Sequence, residues 1–128
     1  MVRERAVDQC EYCRLPQSCL EATFPIDHIS PRKSGGPTIS ENLELACVTC
    51  SLKKAARTHV DDPETGLTTL RFNPRFQTWD DPFDWTMDWR VQGLSPCGRG
   101  TVDALGMNRP APVSIRSLLA ELGRFPQS

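Results

Sequence analysis

A chain of 128 residues with 38% hydrophobic residues supports one domain with a modest core. No apolar run approaches a membrane span. A formal net charge of −1 argues against a nucleic-acid partner held by bulk charge, leaving phosphate contact to particular Lys and Arg residues.

Residues 2–9 read as a short helix leading into the pair Cys10-Glu11-Tyr12-Cys13. A loop follows over 14–22. Residues 23–29 are β-branched and aromatic enough for a strand. Ser30-Pro31-Arg32-Lys33-Ser34-Gly35-Gly36-Pro37 is a turn-rich loop. Ser40 is a good N-cap, and residues 41–46 read as a helical segment. The second pair, Cys47-Val48-Thr49-Cys50, comes next, and a helix is expected over 51–57. The region is read as a ββα unit pinned at its ends.

Beyond it, 61–66 is a turn, and 70–72, 83–85 and 89–91 read as short strands. Residues 98–105 suit a short helix. A longer one starts at Pro112 and runs through Val113, Ile115, Leu118, Leu119 and Leu122 to a stop at Gly123. Trp79, Trp85 and Trp89 are expected in the core. The chain is one domain, a core over about 8–60 and a C-terminal extension over 61–128.

Two residues between cysteines let both thiolates of a knuckle face one ion, so Cys10, Cys13, Cys47 and Cys50 match a closed tetrahedral zinc site. Each pair alone also has the spacing of a redox dithiol, but no thioredoxin-like βαβ pattern accompanies either. A disulfide framework fits poorly. The start, Met1-Val2-Arg3-Glu4-Arg5, is charged and has no apolar signal region, so a cytoplasmic location with reduced thiols is expected. Cys19 and Cys97 lack a paired spacing and read as packing or surface thiols.

Asp27-His28 lies between the pairs. With Asn42-Leu43, Cys47, Cys50 and Lys54 in order, residues 10–54 resemble the HNH nuclease family, whose fold is the ββα-metal unit. The shared pattern is a cysteine knuckle, Asp27-His28-Ile29, the basic Gly-rich loop of Arg32, Lys33, Gly35 and Gly36, then Asn42-Leu43, a second knuckle, and Lys54. Phe72-Asn73-Pro74-Arg75, Trp79-Asp80-Asp81-Pro82-Phe83 and Met107-Asn108-Arg109-Pro110 resemble the tail of small bacterial members. There are two departures. Ser51 stands where the family has Asn or His as a ligand of the catalytic metal, and Pro82 stands where members of the subgroup often have His.

The resemblance implies an α+β fold: a zinc-stapled ββα-metal (HNH) core with a short-strand and helical C-terminal extension. It implies a metal-dependent endonuclease hydrolysing phosphodiester bonds in DNA. Structural Zn2+ would sit on the four cysteines, and a catalytic Mg2+, Mn2+ or Ni2+ on Asp27 with Ser51 beside it. His28 would be the base and Asn42 a brace for its loop. Arg32 and Lys33, and a basic helical face of Lys53, Lys54 and Arg57, are candidates for phosphate contact. No membrane partner is expected. The competing readings are a zinc-stapled nucleic-acid-binding module that has lost cleavage through Ser51, and a structural zinc domain for protein contact.

Overall fold

The computed structural model describes residues 1–127. Its first half is built on a two-stranded antiparallel ladder. Strand β1 (Ile26–His28) pairs with β2 (Leu43–Leu45), setting Asp27 opposite Glu44 and His28 opposite Leu43. Before them stands α1 (Val2–Arg5), and after them α2 (Val48–Lys54). The ββα order is therefore present, with both cysteine knuckles at its ends.

The expected helix over 41–46 is absent. Ser40–Asn42 makes a single 3-10 turn, and the chain then extends as β2. Tertiary pairing outweighs local preference here. Leu45 N–H donates to Glu11 Oε2 at 2.8 Å, and Leu45 O accepts from Glu11 N–H at 2.9 Å. Knuckle one thus takes the edge of β2 that β1 does not. A helix would forfeit both sets of bonds.

Helix α2 begins three residues earlier than expected, because the second knuckle is itself its first turn. Cys47 is the N-cap, and its Sγ accepts from Cys50 N–H at 3.4 Å. The helix stops at Lys54, since Ala55 takes φ 48°, outside the helical region.

The second half adds two hairpins and two helices. Strand β3 (His59–Asp61) pairs with β4 (Thr68–Leu70), and β5 (Phe83–Trp85) with β6 (Val91–Gly93). Helix α3 (Pro96–Leu105) starts on a Ser95 cap and ends at Gly106, and α4 (Pro110–Glu121) follows. Strand β3 was not expected, because the turn at 61–66 overlaps its end and leaves only two residues before it. The last expected strand lies two residues later, as β6, because Trp89 takes φ 63° in the turn between β5 and β6.

Asp62 organises the β3–β4 turn. Its carboxylate accepts from Glu64 N–H at 3.0 Å and Thr65 Oγ1 at 2.6 Å, and takes two bonds from Arg99 of α3 at 3.0 and 2.9 Å. Those Arg99 bonds are the main reason its carboxyl is held well below the usual range. A depressed carboxylate pKa stabilises the fold above the unfolded value, and the gain is lost as pH falls through the folded value. Asp62→Asn therefore lowers the thermal midpoint at neutral pH. The deficit against wild type narrows as pH drops below about 4, the ordinary Asp value, in paired melts across pH.

One core runs through both halves. Tyr12, inside knuckle one, meets Phe72 edge-on at 6.1 Å, Phe72 meets Phe83 at 5.1 Å, and Trp79 meets Phe83 at 5.1 Å. Trp79 is buried and its indole N–H donates to Tyr12 O at 2.8 Å, while Trp85 and Trp89 are packed around Phe125 and are both half-buried.

Candidate metal and nuclease site

The four knuckle cysteines are buried, and their Sγ atoms all lie within 4.8 Å of one another. Cys13 Sγ and Cys47 Sγ are 3.7 Å apart. That is far beyond a disulfide bond. It matches the edge of a tetrahedron with Zn–S bonds of about 2.3 Å, which is about 3.8 Å. The residues therefore fit a structural metal such as zinc. Hydrogen bonds from Cys10, Cys13 and Cys50 pull the Cys47 thiol far down, and burial first of all pushes Cys10 up.

Arg116 of α4 adds a second sign of negative charge here. It is fully buried, and its guanidinium donates to Cys13 O and Met107 O, each at 2.9 Å, and lies over the Trp85 ring. Among the described residues no carboxylate pairs with it. A buried cation needs an anionic neighbour, and the knuckle cysteines beside it would supply one when ionised around a metal. Cys19 is exposed and Cys97 half-buried, and neither joins the cluster.

Asp27 and His28 sit mid-hairpin, against α2. Asp27 Oδ2 accepts from Ser51 Oγ at 2.8 Å and from the Lys54 ammonium at 3.2 Å, and Oδ1 accepts from His28 N–H at 2.9 Å. Ser51 thus reaches the carboxylate from the fourth residue of α2. The His28 ring turns to the 30–38 loop, with Nε2 2.9 Å from Thr38 Oγ1.

That loop is tightly built. Gly35 takes φ 87°, and a Cβ on Gly36 would lie 1.9 Å from Ser30 O, so both positions require glycine. Asn42 closes it. Its amide nitrogen donates to Pro37 O at 2.8 Å and Ser30 O at 3.1 Å, and its Oδ1 accepts from Ser30 N–H at 2.8 Å. Arg32 and Lys33 project from the same loop and are exposed.

The basic face expected on α2 is only partly there. Lys53 and Arg57 are exposed, Arg57 folding back to donate to Lys53 O at 2.7 Å. Lys54 is a correction. It is 2% exposed and its ammonium points inward, to His28 O at 3.0 Å and to the carboxylates of Asp27 and Glu44. It is not on offer to a phosphate. Pro82 is buried, and its carbonyl accepts from Leu94 N–H at 2.8 Å. His59 lies exposed on β3 with Nδ1 2.9 Å from Thr58 Oγ1.

Sequence reasoning missed the polar layer under the site. Glu44 is fully buried, and the Tyr12 hydroxyl donates to its Oε1. Burial pushes the Glu44 carboxyl up to about 7, against the pull of Tyr12 and Lys54. Arg71 completes the layer, donating to Tyr12 Oη at 3.2 Å and Ile29 O at 3.1 Å. A charge between Leu43 and Leu45 was the one available signal.

Residues 10–57 match the model of a family described as HNH endonuclease. The matched segment begins at knuckle one and ends just past α2, so it covers the four thiols, Asp27-His28 and the loop between them. This part of the chain is therefore similar to a nuclease-type domain. No curated protein and no solved structure matched the chain in the comparisons made. No helix among the described residues is long and apolar enough to cross a membrane.

Proposed function

We propose that this protein is a metal-dependent endonuclease that hydrolyses phosphodiester bonds in DNA. The observation that carries the reading is the meeting of Asp27 Oδ2 and Ser51 Oγ at 2.8 Å, beside His28, within a four-thiol clasp. Asp27 and Ser51 offer hard oxygens suited to Mg2+, Mn2+ or Ni2+. When bound, such an ion supplies charge stabilisation at the phosphate and its leaving oxygen.

The chain's own residues do the rest. In the tautomer whose Nε2–H donates to Thr38 Oγ1, His28 keeps Nδ1 to take the proton from an attacking water. Asn42 holds the loop so that the ring keeps this orientation. Lys54, bonded to His28 O, keeps strand β1 in register with α2. Arg32 and Lys33, with Lys53 and Arg57 further round, supply exposed cations for backbone phosphates.

Supercoiled plasmid incubated with the zinc-loaded protein should be nicked only when Mg2+, Mn2+ or Ni2+ is added. No nicking with any of the three, while DNA is still bound, supports the second reading, a nucleic-acid-binding module. The observation favouring that alternative is that Asp27 Oδ2 already has two donors, Ser51 and Lys54. In both readings Arg32→Ala with Lys33→Ala weakens DNA binding. The slope of log K against log salt should become shallower by about 0.9 for each duplex phosphate that the variant no longer neutralises. An unchanged slope removes this loop from the interface. Binding that is absent altogether supports the third reading, a structural zinc domain for protein contact.

A further inference from the structure

We infer that the Lys54 ammonium is a resident cation that occupies the inner half of the divalent-ion site and limits its affinity. The inference rests on the endonuclease reading, because it assigns a metal to Asp27. Four oxygens surround the Lys54 nitrogen: His28 O at 3.0 Å, Asp27 Oδ2 at 3.2 Å, Ala55 O at 3.4 Å and Glu44 Oε2 at 3.6 Å. Two of them belong to carboxylates that face each other across the β1–β2 ladder. This is an oxygen cage of the sort a hard divalent cation takes, filled by the protein's own charge.

The consequence is competition. An ion approaching Asp27 meets an oxygen that already accepts from both Lys54 and Ser51, and it meets a like charge behind that oxygen. Glu44 is fully buried, with Oε1 taken by the Tyr12 hydroxyl and Oε2 facing the ammonium, so it is unavailable to the metal. Lys54 and Glu44 together thus keep one carboxylate, Asp27, on the exposed side and hold the other back. The device gives weak, readily reversed binding of divalent ions rather than a permanently loaded centre.

Mn2+ titration of the zinc-loaded protein, followed by the free-ion electron paramagnetic resonance signal, tests this without any activity assay. Lys54→Ala empties the cage and should tighten Mn2+ binding at least tenfold. It should also give a larger Mn2+-dependent rise in melting temperature than wild type shows at the same Mn2+ concentration. Because a buried Glu44 without its partner can impair folding, the pair Lys54→Met with Glu44→Gln serves as the second variant. It removes one charge of each sign, so net charge is unchanged. It too should bind Mn2+ more tightly than wild type, because Asp27 Oδ2 loses its ammonium. Asp27→Asn added to either variant should abolish the gain. Equal Mn2+ affinity in wild type and the charge-balanced pair overturns the inference even if both bind at Asp27. Binding unaffected by Asp27→Asn in every background sinks the metal assignment itself, and with it the endonuclease reading.

Discussion

Cys47→Ser is expected to abolish the cooperative thermal transition of the core and to release the structural metal, expected to be zinc, from the four-thiol site. The effect is large because the ion replaces missing core. Binding at a structural zinc site is worth about 10–16 kcal/mol in small zinc domains, whereas a whole domain of ordinary size is stable by about 5–15 kcal/mol. Losing one of four thiolates therefore removes a large part of the total. The damage also spreads. Cys47 caps α2, and α2 carries Ser51 and Lys54 to the Asp27-His28 dipeptide. Circular dichroism melts with and without a zinc chelator measure the loss, and a colorimetric zinc assay measures the release. A Cys47→Ser protein that melts like wild type contradicts the zinc assignment.

The second large effect concerns cleavage. His28→Ala should lower nicking by about 10²–10⁴-fold, the usual contribution of a general base. DNA affinity should hold within about twofold, because phosphates are held by Arg and Lys rather than by the base. Ser51→Asn should act the other way. An amide oxygen reaches further from α2 than a hydroxyl, and it cannot donate to Asp27 Oδ2 through that oxygen as Ser51 does now. One donor on the carboxylate is thereby exchanged for a further metal ligand, and both nicking and Mn2+ affinity should rise. Single-turnover nicking at saturating protein, with binding measured separately, keeps the two effects apart. Nicking that survives His28→Ala removes His28 as the base. A fall in both quantities with Ser51→Asn means that the serine is better suited to this site than an amide.

Much of the frame was legible in the sequence because it rests on spacing. Two residues between cysteines fix a knuckle whatever surrounds it, and the four thiols converge as that spacing requires. The α4 pattern and its Gly123 stop were equally local, and that glycine takes φ 72°. What local patterning hid was set by distant partners. Residues 43–45 follow a helix-like start and yet form a strand, because Glu11 and β1 claim their backbone groups. Lys54 reads as one of three basic residues on a helix. It faces inward because His28 O and the carboxylates of Asp27 and Glu44 lie there to be met. Neither the pairing of Asp27 with Glu44 nor the reach of Arg71 to Tyr12 has any signature at fixed sequence distance.

The most direct measurement is plasmid nicking as a function of Mn2+ concentration, comparing zinc-loaded wild type with Asp27→Asn at equal fraction of DNA bound. The proposed site predicts saturable Mn2+-dependent nicking in wild type and none in Asp27→Asn across the same range. Equal nicking by the two proteins, or none by wild type at any Mn2+ concentration, contradicts it.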